Sequence, residues 1–409
     1  MTIRWLGAAL MAFSFSADAE EACEVLKLAS LPIEYTAFKP TLHGTFNGVD
    51  LRLLMDSGAM TTVLFPSGVQ KAGLEAIHSN IVSLGVGGAA NNFIAVAKDA
   101  QIGPSRGNNV HFLAVKNTKL SGDGVLGADY LFRTDVEVLL RENKVIFLQA
   151  QHCDDKPISY WDHDAPWVDS HDVWGSDQRQ KVEVKINGQR FSALLDSGAM
   201  QSMINLRAAA SIGLKPDSLG TQLVGLVTGI GRQSVPSWRA HIDTFEIGPE
   251  TIRNITIQFA DLYGAAGHHL DLFEPDMVLG VDFMQAHRLL FSRSQGRLYF
   301  TYLGGQIFNP GPSQEELLKK AEHLREEAEK NSVPDMLGLA DMLIMGIGVE
   351  KDRVEACKWL LIAEQSSWAA SHPDLQQNIQ RVRAELLNQL DESEAGEARK
   401  RAAAWVASH

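Results

Sequence analysis

The stretch Leu53-Leu54-Met55-Asp56-Ser57-Gly58-Ala59-Met60 constrains this chain most, because it occurs twice. It returns 140 residues later as Ala193-Leu194-Leu195-Asp196-Ser197-Gly198-Ala199-Met200. An apolar run that ends in Asp-Ser-Gly reads as a strand entering a tight loop, with the carboxylate held at the end of rigid structure. One copy is ordinary turn chemistry. Two copies in matching surroundings predict a duplicated structural unit.

The surroundings do match. Asn47-Gly48 precedes the first Asp, and Asn187-Gly188 precedes the second at the same spacing. Asn-Gly between apolar runs is a strong hairpin signal. Each half is therefore expected to deliver its loop from a hairpin's second strand. The paired runs are Leu42 to Phe46 with Val49 to Met55, and Val182 to Ile186 with Arg190 to Leu195. Thr61-Thr62-Val63-Leu64 then corresponds to Gln201-Ser202-Met203-Ile204, followed by short helices ending near Gly73 and Gly213. Glycine-punctuated segments follow at Gly85-Val86-Gly87-Gly88 and from Gly225 through Gly229 to Gly231. Val125-Leu126-Gly127-Ala128-Asp129 recurs as Val278-Leu279-Gly280-Val281-Asp282, and a short helix and a final hairpin close each half. Asp129 and Asp282 each stand just before a short helix and are expected to be N-caps.

The 409 residues divide on these signals. The expected boundaries are a signal peptide at 1–19, a first β lobe at 24–150 and a linker at 151–180. A second β lobe at 181–305 and a helical module at 313–409 complete the chain. The N-terminus carries Arg4, an apolar run from Trp5 to Ser16 and the small-x-small pattern Ala17-Asp18-Ala19. That run is too short to span a bilayer, and no later window is long and apolar enough. Export to a bacterial periplasm or beyond is the expectation. A net charge of −13 without a clustered Lys/Arg stripe argues against nucleic acid or an anionic membrane as partner.

Cys23 and Cys153 bracket the first half and could pair in an oxidising compartment, the alternative being three unpaired thiols with Cys357. The linker interleaves His152, His163 and His171 with Asp162, Asp164, Asp169 and Asp172 but shows no ligand spacing. It reads as an ordered polar loop across the surface, with no metal.

Two carboxyl groups brought together can share one proton, because like charges at about 3 Å cannot both ionise. Such a pair can activate a water with one member while the other protonates a carbonyl oxygen, and it titrates as a unit. No His-Glu-x-x-His or phosphate-loop motif competes, and no cofactor is implied.

The two passes, from about residue 30 to 303, resemble the retropepsin-type aspartic proteases. The motifs that carry the resemblance are apolar-Asp-Ser-Gly-Ala, the glycine-tipped segment and the later apolar-apolar-Gly at Gly127 and Gly280. The resemblance implies a mainly β, bilobal acid-protease fold in which two subunit-like lobes are fused into one chain; the Ala, Glu, Leu, Lys and Arg at helical spacing after Pro310 and Pro312 add a small all-α C-terminal module. It implies that Asp56 and Asp196 hold the attacking water, and that Ser57 and Ser197 brace the two loops across the axis. Gly58 and Gly198 would allow the turns, while Ala59 and Ala199 follow the retropepsin pattern. Gly127 and Gly280 would let backbone pass close behind each loop. Gly85, Gly87, Gly88, Gly229 and Gly231 would tip two flaps, although a plain surface hairpin accounts for the same glycines.

Leu337-Gly338-Leu339-Ala340, Gly346-Ile347-Gly348 and Trp359-Leu360 resemble one Sel-one-like repeat, a tetratricopeptide-related helix pair. It is expected to pack on the β body or on later helices through Trp405, as a partner surface or as a stabilising cap. The expected function is an exported, monomeric aspartic endopeptidase acting on extended polypeptide. The alternative is a catalytically silent peptide-binding or scaffold protein that uses the same cleft and the helical module.

Overall fold

The computed structural model describes residues 22–36, 39–85, 88–115, 122–175, 177–227, 234–263, 274–308 and 314–409. The expected signal peptide and the glycines Gly87, Gly229 and Gly231 lie outside the described residues. The protein is mainly β with a C-terminal helical region, as its sequence led us to expect.

The first half runs β1 (Glu24–Pro32), β2 (Glu34–Thr36), β3 (Lys39–Phe46), β4 (Val49–Met55), β5 (Val63–Leu64), α1 (Pro66–Lys71) and β6 (Glu75–Gly85). It continues with β7 (Gly88–Ile102), β8 (Ser105–Val115), β9 (Gly124–Leu126), α2 (Ala128–Leu131), β10 (Asp135–Leu139) and β11 (Lys144–Gln151). After β12 (Trp167–Trp174), the second half repeats this order. It has β13 (Asp177–Ile186), β14 (Gln189–Leu195), β15 (Met203–Asn205), α3 (Leu206–Ser211), β16 (Gln222–Val227) and β17 (Val235–Ile247). Then come β18 (Glu250–Ala260), β19 (Met277–Leu279), α4 (Val281–Gln285), β20 (His287–Ser292) and β21 (Arg297–Tyr302).

Both predicted hairpins form. Asn47 and Gly48 take φ of 50° and 77°, and Asn187 and Gly188 take 50° and 80°. Positive φ at both central residues matches the right-handed twist of the flanking strands. The asparagines also tie each hairpin to a third strand: Asn47 Oδ1 accepts from Lys98 N–H at 2.8 Å, and Asn187 Oδ1 from Asp243 N–H at 2.9 Å.

The apolar runs before each Asp-Ser-Gly are continuous, not alternating, because β4 and β14 are covered on both faces. Leu53 and Met55 enter the main core with Phe46 and Leu126, while Leu54 packs on the other face with Val63, Phe65 and Val125. Ala193 and Leu195 share that main core, and Leu194 turns to Met203 and Val278. Each of these strands pairs in parallel with the short strand carrying the later motif, Met55 beside Leu126 and Leu195 beside Leu279.

The halves join through six strands in the order β1-β11-β10-β20-β21-β12. At its centre β10 pairs antiparallel with β20, Val136 opposite Phe291 and Val138 opposite Leu289. The linker 151–180, expected as an ordered polar loop, contains β12 and the start of β13. Polar residues on the inner side of β12 hide the strand pattern. Ser170 Oγ bonds Gln180 Oε1 at 2.9 Å, and Gln180 Nε2 donates to Asp172 Oδ1 at 2.7 Å. The earlier part of the stretch buries Ile158 beside Cys153, Leu290 and Tyr299.

Six helices follow: α5 (Gln314–Glu329), α6 (Val333–Met345), α7 (Arg353–Gln365), α8 (Ser367–Ala370), α9 (Pro373–Leu387) and α10 (Glu392–Ser408). Asp352 caps α7 by accepting from Glu355 N–H, and Asp391 with Glu394 forms a capping box on α10. Trp359 of α7 is fully buried and meets Trp405 of α10 edge-on at 5.9 Å. The helices also touch the β body, where Leu223 and Leu226 of β16 pack against Leu317, Ala321, Met342 and Ile347. Among the described residues no helix is long and apolar enough to cross a membrane.

Cys23 and Cys153 form a disulfide across 130 residues, and Cys357 is buried and free. Alkylating the unfolded, unreduced protein should therefore modify Cys357 alone, as read by peptide mass spectrometry. Labelling of all three thiols without reductant would contradict the pairing. Cys153→Ala should lower stability by about 2–4 kcal/mol in denaturant titration.

Candidate active site

Asp56 leaves the end of β4 and Asp196 the end of β14, and each is fixed by the strand beside it. Asp56 N–H donates to Leu126 O at 3.0 Å, and Asp196 N–H to Leu279 O at 2.9 Å. Past each Asp the chain turns back on itself, with Ala59 N–H on Asp56 O at 3.1 Å and Ala199 N–H on Asp196 O at 3.2 Å. The Ala59 and Ala199 carbonyls then accept from Ala128 and Val281, both at 2.8 Å. Gly127 and Gly280 stand where this returning backbone passes. A Cβ on either would lie 2.6 Å from it.

The two loops hold each other through a reciprocal set of buried hydrogen bonds. Ser57 N–H donates to Ser197 Oγ at 3.0 Å and Ser197 N–H to Ser57 Oγ at 2.9 Å. Each hydroxyl passes its own proton onward across the axis, Ser57 Oγ to Leu195 O at 2.7 Å and Ser197 Oγ to Met55 O at 2.8 Å. Every donor in this set is satisfied by the opposite half.

This grip brings the carboxyls of Asp56 and Asp196 within hydrogen-bonding reach of each other. Each also takes a bond from its own loop: Gly58 N–H meets Asp56 Oδ1 at 3.1 Å and Gly198 N–H meets Asp196 Oδ1 at 2.8 Å. The glycines are required for space more than for the turn, since neither has a positive φ. A Cβ on Gly58 would sit 2.3 Å from Asp196 Cγ, and one on Gly198 would sit 2.3 Å from Asp56 Cγ. Each carboxyl thus lies against the bare backbone of the opposite loop.

Burial is the largest influence on Asp56 and pushes its carboxyl up to about 7, with the neighbouring Asp196 carboxylate adding to the effect. Lys39 acts in the opposite direction. Two carboxyls that strongly disfavour double ionisation can hold one proton between them near neutral pH. One member then accepts a proton while the other donates.

Asp129 and Asp282 do not cap helices. Gly127 and Gly280 occupy the N-cap positions, without side-chain capping. Asp129 Oδ1 instead accepts from Thr62 N–H at 2.9 Å and Thr62 Oγ1 at 2.7 Å, and Thr62 Oγ1 accepts from Gly127 N–H at 3.0 Å. The second half repeats the relay. Ser202 N–H and Oγ meet Asp282 Oδ1 at 2.8 and 2.6 Å, and Gly280 N–H meets Ser202 Oγ at 2.9 Å. A hydroxyl just before β5 or β15 reaches each carboxyl across 67 or 80 residues, and Asp282 Oδ1 also accepts from its own neighbour Phe283 N–H at 2.8 Å. Sequence reasoning passed over Thr62 and Ser202, although both keep the 140-residue spacing and both carry a hydroxyl. It also missed Asp123 and Asp276. Their carboxyls accept from Arg52 N–H and Ser192 N–H, each at 2.9 Å, and so brace the strands that end in the Asp-Ser-Gly loops.

Of the expected flap glycines, Gly85 and Gly88 pair directly at the tip of the β6–β7 hairpin. In the second half Val227 pairs with Val235, and Gly225 lies within β16 beside a register shift.

In the folded protein Asp56 keeps, between pH 3.8 and about 7, a proton that the unfolded chain has already released. The folded state binds more protons in that window, so stability should fall as pH rises through it. Asp56→Asn should remove much of this decline, measured as melting temperature against pH. Equal slopes in variant and wild type would contradict the raised carboxyl. Gly58→Ala should force the carboxyls apart and flatten the same slope.

The sequence comparisons agree with this geometry. No curated protein matches the chain. The family model described as aspartyl protease matches two segments, residues 42–130 and 182–283, and each contains one Asp-Ser-Gly loop with its later glycine motif.

Proposed function

We propose that the protein is an aspartic endopeptidase that cuts extended polypeptides with a water held between Asp56 and Asp196. The observation that carries this is the placement of two carboxyls, from duplicated loops, each against the bare glycine backbone of the other half. In the proposed reaction the ionised carboxyl takes a proton from water, whose oxygen adds to the peptide carbonyl carbon. The protonated carboxyl gives its proton to the carbonyl oxygen. The tetrahedral intermediate then collapses: the protonated carboxyl gives its proton to the leaving nitrogen, the ionised carboxyl takes the proton of one hydroxyl of the intermediate, and the C–N bond breaks. One water is consumed, and the dyad ends with the single proton it began with.

The β6–β7 hairpin, tipped by Gly85 and Gly88, supports a flap that closes over an extended chain and excludes water. Export rests on the apolar run from Trp5 to Ser16 with Ala17-Asp18-Ala19, and the Cys23–Cys153 disulfide is in keeping with an oxidising compartment. The helices α5 to α10 are proposed to form a Sel-one-like module, on the glycine pattern of Gly338, Gly346 and Gly348.

The test is to incubate the purified protein with an unfolded polypeptide across about pH 3 to 8 and read fragments by mass spectrometry. Cleavage by wild type should fall about 100-fold or more in Asp56→Asn and equally in Asp196→Asn. Wild type that binds the chain and never cuts it would replace the enzyme reading with a binding one.

A further inference from the structure

The repeat places a cation beside each aspartate, and only one of the two is left to serve the pair. In the first hairpin Thr41 pairs with Leu54, and continuing that register puts Lys39 beside Asp56. In the second, Lys181 pairs with Leu194, and the same continuation puts Arg179 beside Asp196. Lys39 and Arg179 are equivalent positions in the duplication, yet their surroundings differ. Arg179 is mostly buried and clasped by two carboxylates, Asp177 at 2.6 Å and Glu274 at 3.0 Å. Lys39 reaches across to the other lobe, where its Nζ donates to Gly198 O at 2.8 Å. Gly198 is the residue whose backbone lies against the Asp56 carboxyl.

We propose that Lys39 is a positioning residue that clamps the Gly198 turn and supplies positive charge to the dyad from one side, while Arg179 is neutralised by its own carboxylates. The proposal deepens the reading of Asp56 and Asp196 as a proton-sharing pair and rests on it. With one proton shared, the pair carries one negative charge, and an ammonium at this place makes the group neutral overall. Burial favours the doubly protonated pair, and Lys39 opposes that, extending towards acid the range in which one carboxyl is ionised. Among the described residues, the charged and titratable groups facing the pair are Lys39 at Asp56 and Tyr263 near Asp196, with Glu274, Arg179 and Asp276 around Tyr263. Burial holds the Tyr263 phenol well above its ordinary range, so it stays neutral throughout.

The experiment uses the full chain labelled with 13C at aspartate carboxyls, and follows the Asp56 signal against pH in wild type, Lys39→Met, Lys39→Gln and Lys39→Arg. Met removes both charge and hydrogen bond, Gln keeps a neutral donor for Gly198, and Arg keeps the charge. The Asp56 midpoint should rise by about one pH unit in Met and Gln and stay near wild type in Arg. If peptide cleavage is detected, both limbs of its pH profile should move upward in the same two variants. An unchanged midpoint in folded Lys39→Gln would overturn the proposal, and Gln serves where Met fails to fold. The titration is read without any cleavage. A wild type that cuts nothing would therefore overturn the protease reading alone, while a shifted midpoint would still establish the charge role.

Discussion

The structure depends on four buried hydrogen bonds in which Ser57 and Ser197 exchange amides and hydroxyls across the axis between the halves. A buried donor left without its partner costs about 1–3 kcal/mol, so neither loop is complete alone. The constraint is geometric as well as energetic. With these bonds made, each Asp carboxyl lies so close to the opposite loop that residue 58 or 198 has no room for a side chain. The carboxyls then have little choice of position. Their proximity follows from the serines, and the raised affinity of Asp56 for its proton follows first from burial and then from that proximity.

Around the grip, the duplication supplies paired supports. Asp129 with Thr62 and Asp282 with Ser202 hold the chain leaving each loop. Asp123 and Asp276 hold the strand entering it. These carboxylates accept backbone or hydroxyl donors, and Asp123 and Asp276 also meet Lys71 and Arg207, so the acidic residues near the centre divide into framework carboxylates and the facing pair. The distinction lies in their partners: all of them accept fixed donors, but only Asp56 and Asp196 among these also face another carboxyl.

Much of this was legible in the sequence because it repeats at close to constant spacing. The Asp-Ser-Gly loops, the Asn-Gly hairpins and the Gly127 and Gly280 contacts depend on local chemistry that short motifs record. The parts not legible depend on contacts far apart in the chain. Asp129 and Asp282 carry the signature of helix caps, and only the folded chain brings Thr62 and Ser202 to compete for them. β12 was hidden because its inner face holds Ser170 and Asp172, so hydrophobic alternation had nothing to register. Lys39 and Arg179 are both basic in the sequence. Which one faces the pair is decided by Asp177 and Glu274, the latter 95 residues from Arg179.

The pairing of β10 with β20 has a consequence beyond holding the halves together. A centre built from two separate copies would be lost on dilution and would change in both copies with every substitution. Here the meeting of the halves is intramolecular, so it is governed by an effective concentration that dilution leaves untouched. The fusion also frees each half to mutate by itself. A chain of this kind can keep its twofold grip while its two sides acquire different surroundings, a divergence unavailable to a pair of identical subunits.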